Sequence, residues 1–187
     1  MEFPKLFMLL LGCKPGQRNT EQHDVFFGIG NGLKDLLQDM YSFWPEAKQK
    51  IHIDAWREVT RVGGYSITVI PREQPESVTN ETKLFFINLG GYKPGEFEEF
   101  HYKMLVAGKD KGAAIQEAKQ TAFYQHTGFK GATSHIDDKY GIDVDDIYEI
   151  TDVLPAAIKE KYAIILSATT ESIVDEFHLG YTKLDKL

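Results

Sequence analysis

The stretch KLFMLLLGCKPG at residues 5–16 returns as KLFFINLGGYKPG at residues 83–95, one residue longer before the Lys-Pro-Gly turn. Taken alone, the first copy resembles a lipoprotein export signal: Lys5, an apolar run from Leu6 to Leu11, then Leu10-Leu11-Gly12-Cys13. Its flank argues against that reading, because Glu2 offsets Lys5 and six apolar residues fall short of a normal signal core. A secretion signal has no reason to recur in mid-chain, whereas a core strand followed by a Pro-Gly turn does. The stretch is therefore expected to be the opening strand of a repeated unit. Cys13 then becomes a small core residue at a position where the twin has Gly91, not an anchor or a nucleophile.

The likeness continues beyond this strand. EQHDVFFGIG at 21–30 matches EEFHYKMLVAG at 98–108, aligning Glu21, His23 and Gly30 with Glu99, His101 and Gly108. Ile51-His52-Ile53-Asp54 matches Ser134-His135-Ile136-Asp137, and YSIT at 65–68 matches YEIT at 148–151, both at an offset of 83 residues. A third, unfinished copy closes the chain, with KYAIILS at 161–167 and DEFH at 175–178.

Each full copy reads as strand, strand, helix, strand, strand. Leu6–Leu11 is a continuous apolar run suited to a buried strand. The next strand alternates, with Glu21, His23, Val25 and Phe27 on one face. Asn31 is placed to cap a helix whose stripe is Leu33, Leu36, Leu37, Met40 and Trp44, stopped by Pro45. In the second copy Asp110 is the cap, Ile115, Ala118 and Ala122 form a thinner stripe, and Gly128 marks the end. The third strand is expected over Lys50–Trp56, with Ile51, Ile53 and Ala55 on one side and His52, Asp54 and Trp56 on the other. A Gly63-Gly64 turn leads into Tyr65–Ile70. The fold class is α+β: two tandem repeats with mainly antiparallel sheets, plus a C-terminal third hairpin. Repeat one covers 1–71, a linker 72–82, repeat two 83–154, and a connector with the partial third repeat 155–187.

Composition bounds the class. Hydrophobic residues at 42% and aromatics at 12% suffice for packed cores. A net charge of −7, from 21 basic and 28 acidic side chains, argues against a nucleic-acid binder, which normally presents a basic face. No apolar run approaches a membrane span, so no membrane association is expected. The single cysteine rules out an intrachain disulfide and fits a reducing, cytoplasmic setting.

Four phrases, EQHDVFFGIG, HIDAWREV, NLGGYKPGEFEEFHYK and SHIDDKYGIDVDDIY, resemble a small family of bacterial proteins known as a domain of unknown function, number fifteen forty-three in its series. The resemblance spans most of the chain, from Leu6 to about Ile165. It implies a soluble bacterial protein whose domain occurs in one or two copies. It supplies no activity, ligand or catalytic residue.

Candidate chemistry rests on the histidines. His23, His101 and His178 each follow a glutamate by two residues: Glu21, Glu99 and Glu176. His52 and His135 each precede an aspartate by two: Asp54 and Asp137. Residues two apart on a strand share a face, so each pair sits side by side. If neighbouring strands aligned these pairs, imidazoles and carboxylates would converge. The candidate metal ligands are therefore His23, Glu21, His52, Asp54, His101, Glu99, His135 and Asp137. Zinc or ferrous iron would suit such a set. The competing reading has no cofactor: the pairs simply hold hairpin register or bond a turn. Two other features are read as structural. Gly28-Ile29-Gly30-Asn31-Gly32 lacks the spacing of a dinucleotide loop and reads as a strand-to-helix turn. The aspartates at 137, 138, 143, 145 and 146 lack calcium-loop spacing and read as a solvated acidic loop.

Two functions compete. One is a non-enzymatic binding or assembly module, with a homodimer formed through the C-terminal hairpin. The other is a metal-dependent or histidine-assisted enzyme acting on a small molecule in a cleft between the repeats, with Trp56 as a pocket wall. The first is preferred; the ligand and any catalytic residue stay unknown from the sequence.

Overall fold

The computed structural model describes residues 3–48, 50–72, 81–92, 95–126 and 143–187. The chain divides into two compact units, Met1–Val78 with Leu154–Leu187, and Thr79–Val153. No helix among the described residues is long and apolar enough to cross a membrane.

In the first unit the apolar run becomes β1 (Lys5–Cys13), an inner strand of an antiparallel sheet. β2 (Gln22–Gly30) pairs along one edge of β1 and β3 (His52–Glu58) along the other; β10 (His178–Lys183) then adds to β3. Alternation sends Phe7, Leu9, Leu11 and Cys13 to one face of β1. They form a core there with Phe26, Ile53, Leu36, Met40 and Leu184. Leu36 ends a 3₁₀ turn (Leu33–Leu36) that runs into α1 (Leu37–Phe43), and Leu33, Leu37 and Trp44 pack against the same core, as the apolar stripe requires. The Cys13 thiol lies inside this core. Burial and the nearby Glu21 carboxylate push its pKa up, so the group is a poor nucleophile.

Four local expectations are corrected. Asn31 does not cap the helix; instead the Asp35 carboxylate reaches back and accepts from the Asn31 backbone N–H at 2.9 Å. Gly28 and Gly30 lie inside β2, where Leu36 and Asp35 fill the space a side chain would need. Their role is close helix packing. Trp56 does not share the face of His52. A β-bulge between Leu10 and Leu11 leaves Asp54 as the extra residue of β3, and Trp56 then pairs with Leu9 on the core side, 6.2 Å from Phe7 by ring centroids. The two C-terminal strands do not form a hairpin with each other. β9 (Tyr162–Ala168) pairs with β5 (Tyr65–Pro71) in a second sheet that also holds the short β4 (Arg61–Val62), whereas β10 belongs to the first sheet.

That separation has a physical anchor. The Asp175 side chain, only 2% exposed, accepts from the Thr60 backbone N–H at 3.1 Å and the Thr60 hydroxyl at 2.6 Å, with Arg57 3.8 Å away. It ties the segment before β10 to the end of β3, so β10 is delivered to the edge of the first sheet. α4 (Ala156–Lys161), the expected connector, delivers β9 to β5.

The second unit holds β6 (Lys83–Tyr92) between β7 (Glu99–Gly108) and β8 (Asp143–Glu149). α2 (Lys111–His126) covers the face carrying Phe85, Ile87, Leu89 and Val106. Asp110 caps α2 through the Ala113 N–H at 2.9 Å. Among the described side chains of α2, Ala114 and Ala118 are buried and the expected Ile115 only partly so; the two alanines are small enough for the helix to sit close on Gly108. Two expectations change here. Asp143, Asp145 and Asp146 lie in strand β8, not in an acidic loop. Tyr148 and Glu149 end β8, and Ile150 to Val153 form the short helix α3, so YEIT is not the counterpart of the strand beginning at Tyr65. Gly128, His135, Asp137 and most of the 72–82 linker lie outside the described residues.

The pairing of β6 follows that of β1 position by position. Gly12 faces His23 on β2 and His52 on β3; Gly90, 78 residues on, faces His101 on β7 and Asp143 on β8. The bulge falls between Leu10 and Leu11 in one sheet and between Asn88 and Leu89 in the other. An ion pair closes the same end of each: Lys5 with Glu58 at 2.9 Å, Lys83 with Glu149 at 2.7 Å. Burial works to raise the Glu149 pKa, yet the Lys83 and Thr151 hydrogen bonds prevail and hold it below the ordinary value.

Asp175→Ala should lower stability by roughly 2–4 kcal/mol, because a buried carboxylate that satisfies two donors and faces an arginine is removed. Urea denaturation checks the magnitude. Hydrogen exchange should show β10 amides losing protection ahead of β1; equal protection in both forms would mean that Asp175 does not hold the segment.

Candidate functional site

Gly12 lies near the end of β1 with a histidine opposite it on either side, His23 and His52. Residues directly opposite on neighbouring strands share a face. The two imidazoles are therefore on the face away from the helical core, with no side chain between them. Glu21, next to β2, and Asp54, turned by the bulge, complete the group.

The four side chains meet closely. The Nε2 atom of His52 is 3.1 Å from Oε1 of Glu21 and 3.3 Å from Oδ1 of Asp54. Nε2 of His23 is 3.2 Å from Oδ2 of Asp54 and 3.9 Å from Oε2 of Glu21. Each carboxylate thus lies between both imidazoles. His52 is only 6% exposed, and its buried Nε2 forms no hydrogen bond of acceptable geometry. Oδ2 of Asp54 is likewise buried and without a directed hydrogen bond. Burying polar atoms in this way is costly unless something else satisfies them. The outer side is open: Glu21 and His23 are 45% and 42% exposed.

A β-carbon on Gly12 would overlap Nε2 of His52 and come within 2.5 Å of Oδ2 of Asp54. Space at Gly12 is thus a condition for the cluster. From the edge of the sheet, β10 lays Tyr181 beside the His52 ring (centroids 4.4 Å apart) and stacks His178 on Trp56 at 3.9 Å and 12°. The third Glu-x-His pair therefore does not join the cluster: His178 is an aromatic partner, and Glu176 is exposed.

The second unit brings Glu99 and His101 together with Asp145, a residue the sequence pattern did not single out. Nε2 of His101 is 3.2 Å from Oδ2 of Asp145 and 4.0 Å from Oε2 of Glu99. One donor atom from each of the three lies within 4.8 Å of the others. A β-carbon on Gly90 would overlap the Asp145 carboxylate, as one on Gly12 would overlap His52 and Asp54. The sequence carried a usable signal. The Lys83–Glu149 pair matches Lys5–Glu58 only if β8 is offset by 91 residues from β3, and that offset aligns Asp-Val-Asp at 143–145 with His-Ile-Asp at 52–54. The shared His-Ile-Asp at 135–137 favoured an offset of 83.

Residues 18–69 match the family model of the Domain of Unknown Function (DUF1543), an uncharacterised domain family. The match takes in Glu21, His23, His52 and Asp54 and two of the four phrases that suggested the family, EQHDVFFGIG and HIDAWREV. A protein Il1583 from Idiomarina loihiensis, known from its crystal structure, is similar in fold, with a TM-score of 0.62 over 97% of each chain at 21% identity. No curated protein matches the chain.

Gly12→Ala should force the His52 ring or the Asp54 carboxylate aside and cost roughly 1–3 kcal/mol, the usual range for overpacking. A urea midpoint within error of wild type, with unchanged His52 imidazole resonances, would show that the position tolerates a side chain.

Proposed function

We propose that the chain is a metal-binding module whose first unit holds a divalent cation through Glu21, His23, His52 and Asp54. The observation that carries this reading is the buried, unsatisfied Nε2 of His52 set between two carboxylates. Bonds of about 2.1 Å to a common ion put neighbouring donors roughly 3.0 Å apart at right angles and roughly 3.4 Å apart at tetrahedral angles. Three of the four contacts, at 3.1, 3.2 and 3.3 Å, fall in that interval. Two imidazoles with carboxylates suit zinc or ferrous iron.

A second reading, a metal-dependent enzyme acting on a small molecule, draws on the open outer side at Glu21 and His23. An ion with a free face can take water or substrate as a further ligand, whereas purely structural zinc sites are closed.

Zinc titrated calorimetrically into metal-free protein should bind at this site, and His52→Ala should weaken it by at least about tenfold. Absence of binding, or equal binding by the variant, would end the proposal. Cobalt loading separates the two readings: azide should shift the visible spectrum if a ligand position is open and leave it unchanged if the site is closed.

For the assembly part, we infer a homodimer contact at the C-terminal strand. β10 ends the order of its sheet, and Phe177, Leu179 and Tyr181 expose most of their apolar surface around it. Such an edge invites pairing with a second copy. Light scattering should report a dimer that a Phe177→Ser, Leu179→Lys double substitution converts to monomer; a monomeric wild type would overturn this.

A further inference from the structure

We infer that the second unit carries its own cation site, formed by Glu99, His101 and Asp145 and suited to a harder ion than the first, of the manganese class. The inference rests on reading the first cluster as a metal site and extends it to different residues and a different ion.

Three observations lead to it. Glu99, His101 and Asp145 bring donor atoms mutually within 4.8 Å, with the closest contact, 3.2 Å, in the range that a shared ion imposes. The space is provided in the backbone: Gly90 stands beneath the group, and any side chain there would displace Asp145. The strand register is that of the first site, with His101 opposite Gly90 on one side and a bulge two residues along β6.

The difference between the sites sets the choice of ion. At the strand position of His52 the second unit has Asp143. The described donors are thus one nitrogen and two carboxylates, against two nitrogens and two carboxylates in the first unit. Oxygen-rich sets favour magnesium, calcium and manganese, whereas imidazoles favour zinc, iron and copper. All three side chains are also partly exposed, with Asp145 28% and His101 37% accessible. That openness suits a hard cation, which retains coordinated water more readily than zinc in a closed site.

The test uses the full chain and two probe metals, manganese followed by electron paramagnetic resonance and zinc followed by calorimetry. Wild type should bind manganese, and Asp145→Asn and Gly90→Ala should each weaken it by at least about tenfold while leaving intact the zinc binding that His52→Ala removes. His52→Ala should do the reverse. Two variants guard against a folding artefact, since Asn is nearly isosteric with Asp and Gly90→Ala removes no donor side chain but pushes the Asp145 carboxylate aside. Manganese binding that is absent in wild type, or unchanged in both Asp145→Asn and Gly90→Ala, would overturn the inference. Loss of manganese in these variants together with no effect of His52→Ala on zinc would uphold this site while removing the first.

Discussion

The constraint on which the rest depends is the missing side chain at Gly12. β1 is an inner strand, so its backbone is hydrogen-bonded on both edges, and any polar group near its end must come from the neighbouring strands. His23 and His52 arrive from opposite sides onto the one position that leaves room for both. Packing on the other face fixes the height of that position. Leu9 and Leu11, fully buried, hold β1 in register against the helix, and a slip of one residue would send them to the wrong face. The hydrophobic core and the polar cluster are thus two faces of one alignment.

The bulge connects them. Regular alternation along β3 would place Trp56 beside His52 and Asp54. Inserting Asp54 as an extra residue returns Trp56 to the core and leaves its carboxylate against both imidazoles. Bulges recur where a strand must re-aim a side chain. The same irregularity stands at the equivalent point of β6 and β8, where Asp145 reaches His101. Two sheets with different core residues, Leu36 and Met40 in one helical layer and Ala114 and Ala118 in the other, keep this one departure from regularity.

The buried strand, the alternation of β2, the helical stripe and the α+β class are legible because each follows from period and local chemistry; Glu-x-His and His-x-Asp are legible as pairs, but their meeting depends on β2 and β3 both flanking β1, which period alone leaves open. The failures came where a local rule meets a longer-range one. Period two cannot register a bulge, so Trp56 was put on the wrong face. A repeated tetrapeptide cannot reveal that β8 lies further along the chain, so Asp145 was passed over in favour of the His-Ile-Asp at 135–137. Two strands adjacent in sequence look like a hairpin until Asp175, held by Thr60, carries one of them to a different sheet. That contact joins residues 115 apart, and no window on the sequence contains both.

The proposed cation competes with a ring of hydrogen bonds among the same four side chains, and a count of protons favours the proposal. An imidazole Nε2 carries at most one hydrogen in any protonation state. Two imidazoles therefore offer at most two Nε2–H donors to four nitrogen–oxygen approaches, three of them at 3.1–3.3 Å. Each remaining approach would have to share a hydrogen or set lone pair against lone pair, and at His52 neither carboxylate stands where a hydrogen bond could be directed. A single positive ion between the donors would account for the three approaches at 3.1–3.3 Å together, because it asks only that lone pairs point inward. The arrangement built over Gly12 gathers lone pairs around one point, which is what the proposed coordination requires.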